Sequence, residues 1–109
     1  HPEFAVEVFR KGIEIEAPLG QDIKVVEKGR VAFADRLTGY GNMVIVDHGE
    51  RFFTVYAHLS EIFKKTGDEI RRGEVLGLVG DSDSLAGAKL YFEMRRDGRS
   101  VDPMPWLRR

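Results

Sequence analysis

Apolar and polar side chains alternate along residues 89–96, with Leu90, Phe92 and Met94 on one side of a strand and Lys89, Tyr91, Glu93 and Arg95 on the other. The first set predicts a core face. The second puts two cations, a phenol and a carboxylate in one row. Because charges are rarely buried without partners, that row predicts an exposed groove wall used for recognition. Weaker alternations recur upstream. Phe4, Val6 and Val8 mark a first strand, and Ile13 and Ile15 set against Glu14 and Glu16 mark a half-buried second one that ends at Pro18-Leu19-Gly20. Residues 23–26 and 30–34, on either side of Glu27-Lys28-Gly29, predict a hairpin. Thr38-Gly39-Tyr40-Gly41 reads as a glycine-hinged loop leading to strands over 43–47 and 52–58, with His48-Gly49-Glu50 between them.

One helical turn is predicted, where Ser60 can cap residues 61–65 and Gly67 can supply the left-handed stop. A strand over 75–79 follows, and the polar loop 80–87 delivers the chain to residue 89. Asp97-Gly98 marks a last tight turn. The proline-stiffened tail 101–107 is expected to lay Trp106 over an open end of the sheet. The sum is an all-β antiparallel domain, a curled sheet or sandwich, with one short helical turn.

Composition narrows the function classes. The 109 residues, 42% hydrophobic, suit one domain with one core. Seventeen basic and 18 acidic residues leave a net charge of -1, so nothing favours nucleic acid by counterion release. Cysteine is absent, which removes disulfides and thiolate metal sites. No stretch is apolar for long enough to span a bilayer or act as a signal core. The start at His1 reads as a cut within a longer chain.

Catalytic patterns are missing. The histidines are His1, His48 and His58, and neither H-x-H nor H-E-x-x-H occurs. No G-x-S-x-G elbow or phosphate-binding glycine loop is present, and Ser60, Ser82, Ser84 and Ser100 fall in turns or caps. His48 reads as a structural or solvated turn residue. His58 reads as a hydrogen-bonding residue of a groove floor.

Several glycine-anchored segments, in order, carry a family resemblance: residues 12–18, Gly29-Arg30-Val31, residues 39–49, Tyr56-Ala57-His58-Leu59-Ser60, Gly67-Asp68, Gly73, Leu78-Val79-Gly80, Leu90-Tyr91-Phe92-Glu93 and Val101-Asp102-Pro103. Together they resemble LytM-type zinc metallopeptidase domains over nearly the whole chain. The resemblance implies two packed antiparallel sheets, a β-sandwich with a groove across one face. Active members carry a histidine four residues before an aspartate on the first strand and an H-x-H pair on the last long one. Here Arg10, Glu14, Lys89 and Tyr91 hold those places, and only His58 remains of the histidine set. Cations at such a site repel Zn²⁺, so no metal, no cofactor and no catalysis are expected.

The chain is most similar to a degenerate subgroup of that family, whose members stimulate zinc-dependent N-acetylmuramoyl-L-alanine amidases in cell division. The resemblance implies an extracytoplasmic, periplasmic location and a coiled coil upstream of a single domain spanning residues 1–109. The expected binding groove comprises Arg10, Lys11, Glu14, Tyr40, Tyr56, His58, Lys89, Tyr91, Glu93 and Arg95, and it would take an amphipathic regulatory helix of the amidase. Two alternatives stay open: a module that binds peptidoglycan, and a zinc endopeptidase with non-standard ligands.

Overall fold

Residues 52–62 form the longest strand among the described residues, the one on which the others are hung. The computed structural model describes residues 12–85 and 87–103. Among the described residues nine strands follow in order: β1 (Ile13–Glu16), β2 (Asp22–Lys24), β3 (Gly29–Leu37), β4 (Gly41–Asp47), β5 (Phe52–Ile62), β6 (Glu69–Ile70), β7 (Val75–Val79), β8 (Lys89–Arg96) and β9 (Arg99–Val101). Every pairing is antiparallel, and among the described residues there is no helix. The main arm runs β1-β8-β5-β4-β3-β6. A second arm, β2-β7, joins it through β5.

The two arms share β5 because that strand changes partner partway along. Residues 52–57 of β5 pair with β8, and Leu59, Glu61 and Ile62 pair with β7. At the handover His58 adopts φ +67°, a conformation that side chains with a Cβ rarely take and that turns the strand from one neighbour to the next. β7 then crosses close to β5: a Cβ on Gly80 would lie 2.2 Å from the Ser60 amide nitrogen. The arms close over one core of Ile23, Val25, Leu76 and Val79 from the β2-β7 side and Val31, Val44, Val46, Tyr56, Phe92 and Met94 from the main arm. Fully burying side chains of this size contributes about 1.5–3 kcal/mol each before ordering costs.

Two local expectations fail. The helical turn after Ser60 is instead the end of β5, where the Ser60 hydroxyl donates 3.1 Å to the Val79 carbonyl. Five residues cannot recover the cost of nucleating a helix when an open strand edge offers ladder bonds. The hairpin around Glu27-Lys28-Gly29 also does not form. β2 pairs with β7, and β3 pairs with β4 and β6, so the bend at 26–28 carries the chain from one arm to the other. The expected strand over 4–8 and the Trp106 cover lie outside the described residues.

Candidate functional site

On the outer face of the main arm, the odd-numbered residues of β8 meet the outward residues of β4 and β5. Tyr91 packs with Met43, Val55 and Ala57, with Phe33, Tyr40 and Ile45 against them. The row Lys89, Tyr91, Glu93, Arg95 does share one face, but it is not an open wall. Tyr91 is 5% and Glu93 3% exposed. Their burial is possible because each polar group is matched. The Tyr91 hydroxyl accepts the Gly12 amide at 3.0 Å and donates to Glu93 Oε2 at 2.7 Å. Arg95 Nη1 donates to Glu93 Oε1 at 2.6 Å, and Nη2 donates to the Gly98 carbonyl at 3.1 Å. At the other end of the row, Lys89 Nζ sits 2.6 Å from Glu14 Oε2.

Gly12 is required at its position, because a Cβ there would come within 2.3 Å of the Phe92 carbonyl and 2.9 Å of the Tyr91 ring. Through that approach β1 is tied to β8 by both backbone and phenol. Burial, reinforced by the hydrogen bond to Glu93 and its charge, pushes the Tyr91 phenol far above its ordinary range. Tyr40 is raised too, first by burial and then by Glu93, with Arg95 opposing. Both phenols therefore stay protonated and act as hydrogen-bonding rings, not as bases.

Tyr40 and His58 complete the face. Their rings lie 5.8 Å and 6.3 Å from the Tyr91 ring, both edge-on. On an unbroken strand His58 would share the side of Thr54 and Tyr56; its left-handed backbone brings it to the opposite side instead. Its Nδ1 lies 2.8 Å from the Ser82 carbonyl, which can only accept, so the neutral ring carries its proton on Nδ1. Tyr56 is a correction to the expected groove. It is 1% exposed in the inner core, beside Phe92, and burial pushes its pKa up to about 12. The even numbering of Tyr56 on a strand whose odd residues face Tyr91 accounts for this. Arg10 and Lys11 lie outside the described residues. The structure thus brings together Glu14, Tyr40, His58, Lys89, Tyr91, Glu93 and Arg95.

The framing loop was read as plain turn residues, yet it is tied in at many points. The Ser82 hydroxyl accepts the Asn42 amide at 3.0 Å and donates to the Leu59 carbonyl at 2.8 Å. Asp83, at φ +55°, takes the Arg36 guanidinium at 2.6 Å and the Gly39 amide at 3.2 Å. The run of serine and aspartate opposite Gly39 and Gly41 was the available signal, since short polar side chains of this kind bond to nearby backbone.

Divalent metal does not suit this donor set. Glu14 is engaged by an ammonium, the Tyr91 oxygen is committed to Gly12 and Glu93, and among the described residues no three His, Cys, Asp or Glu side chains converge.

Comparison with known proteins places this geometry in a lineage. The chain is 40% identical over 99 residues to the murein hydrolase activator EnvC of Escherichia coli K12, covering 91% of this chain and 24% of that protein. It is 36% identical over 104 residues to the DD-carboxypeptidase/endopeptidase Mpg of Neisseria meningitidis serogroup B, covering 95% and 24%. The crystal structure of a zinc-containing peptidase from Vibrio cholerae superposes with a TM-score of 0.83 at 30% identity, covering 86% of this chain and 29% of that one. The chain spans about a quarter of the length of these curated relatives. The family model for peptidase family M23 matches residues 8–103, and the chain belongs to that family.

Proposed function

We propose that this domain is a non-enzymatic activator of a murein amidase: its outer face receives a regulatory helix of the enzyme and hydrolyses nothing itself. Relatives named as a murein hydrolase activator and as a DD-carboxypeptidase/endopeptidase make the bacterial cell wall the common setting, and with it an extracytoplasmic location. In this reading a coiled coil elsewhere in a longer chain would present the domain.

The observation that carries the reading is the internal pairing of charge along β8. Lys89 is matched by Glu14 and Arg95 by Glu93, so among the described groove residues no cation remains to draw an anion or to activate water. What the face offers a partner is half-buried Tyr40 in the turn between β3 and β4, the Nε2 lone pair of His58 and the partly exposed Arg95 guanidinium. Tyr and Arg in such settings are frequent anchors of protein interfaces. An amphipathic helix would lay its apolar side on Tyr40. Its binding shifts the amidase toward the open form by no more than the difference in affinity for the exposed and tucked-in helix.

A binding titration against a purified N-acetylmuramoyl-L-alanine amidase tests this. Tyr40→Ala should weaken binding by about tenfold or more, as loss of an aromatic anchor does. Retention on purified sacculi without binding to the amidase would instead identify a peptidoglycan-binding module.

A further inference from the structure

On the inner side of the sheet, away from the face just described, a chain of polar groups runs from the buried Tyr56 and Thr54 out to the surface at His48 and Lys28. The Val26 amide donates to the Tyr56 hydroxyl at 3.2 Å, Tyr56 Oη lies 3.1 Å from Thr54 Oγ1, Thr54 Oγ1 lies 2.8 Å from His48 Nε2, and His48 Nδ1 lies 2.8 Å from the Lys28 carbonyl. Both ends belong to the same bend, residues 26–28, which joins the two arms of the sheet. The Lys28 end sets the direction of the hydrogens in between while His48 is neutral. An amide can only donate and a carbonyl can only accept. With neutral His48 protonated on Nδ1, Tyr56 donates to Thr54, Thr54 donates to His48 Nε2, and no group is left over.

A second proton on His48 spoils this order. Nε2–H then donates to Thr54, and one hydroxyl hydrogen of the Thr54–Tyr56 pair is left without an acceptor in the chain, at residues 0% and 1% exposed. A buried donor in that state shifts the equilibrium against the closed arrangement by about tenfold or more. We propose that this chain is a proton-operated latch: protonation of His48 releases the bend at 26–28 while the rest of the sheet stays folded.

The surroundings fit such a device. Burial holds the His48 pKa below its ordinary value, outweighing the upward pull of the Lys28 carbonyl and of the Glu27 and Asp47 carboxylates. The ring packs 4.9 Å from Phe52, over which the Arg96 guanidinium lies, and it shares a surface cleft with Lys28, Arg30, Glu69, Arg71 and Glu74. Just before the bend, Val25 is held independently, its amide donating to the Glu74 carbonyl and its carbonyl accepting from Gly73. Release is therefore confined to the bend itself. Val26 and Tyr56 also wall an apolar cavity of about 130 Å³ with Ile23, Leu90 and Phe92, and opening the latch removes part of that wall.

Amide hydrogen exchange of the 109-residue chain reads the latch directly. Between about pH 7.5 and pH 5, the protection of the Val26 amide should fall by about tenfold or more, the cost of one buried donor left unpaired. The Val44 and Val46 amides should keep theirs. His48→Gln should make the Val26 profile flat, and Tyr56→Phe should leave it low at both pH values. Ring ¹⁵N shifts of the unsubstituted protein should show the Nδ1–H tautomer at neutral pH. An Nε2–H tautomer, unchanged Val26 protection, or a parallel fall at Val44 and Val46 would each overturn the proposal.

Discussion

Glu93 is the residue on which the outer face turns, since its two oxygens hold the Tyr91 phenol and the Arg95 guanidinium at 2.7 and 2.6 Å. Removing the Tyr91 hydroxyl leaves one of those oxygens and the Gly12 amide short of a partner, so Tyr91→Phe should lower stability by about 1–3 kcal/mol in urea denaturation, with the fold retained. Alternation along residues 89–96 was enough to place Tyr91 and Glu93 on one side. It could not reveal that they are buried, because Met43, Val55 and Phe33, which cover them, come from strands distant in sequence. A second residue-scale prediction concerns His48. A histidine whose folded-state pKa is depressed contributes stability that is complete above its unfolded value of about 6.5 and is lost as pH falls from there toward the folded value. The urea midpoint should drop over that interval, and His48→Gln should show a smaller drop.

At the scale of elements, β5 decides the architecture by serving two neighbours, and the loop at 81–85 is fastened where it does so. Gly41, at φ +68°, lies against that loop: a Cβ would fall 2.2 Å from the Ser82 carbonyl oxygen. Gly41→Ala combines a backbone conformation unsuited to alanine with that clash. It should cost more than about 1 kcal/mol, and chemical-shift mapping should show Ser82 and His58 disturbed together. Most strand positions were legible as alternation bounded by glycine turns, including the loop at 38–41, the turn at 48–50 and the Asp97-Gly98 turn. The missed elements share a cause. Whether residues after Ser60 coil or extend, and whether β2 pairs with β3 or β7, depends on which edge lies open in space, and local propensity carries no information about that.

For the molecule as a whole, the paired charges of β8 change how a partner should be recognised. A groove lined by free cations would lose affinity steeply with salt, whereas one whose described charges are matched internally should lose little, because screening acts on uncompensated fields. Amidase binding measured at about 0.05 M and 0.5 M salt should therefore differ by less than about tenfold. The family resemblance was legible from the glycine-anchored segments. The residues at positions 14, 89 and 91 were legible as well, but their assembly into an ion pair and a buried network required coordinates. The central claim, that this face grips a polypeptide and does not cut one, is tested most directly by dye release from labelled sacculi with zinc supplied. Release by a mixture of chain and amidase above that of amidase alone, with none from the chain by itself, is the predicted result. Release by the chain alone would contradict it.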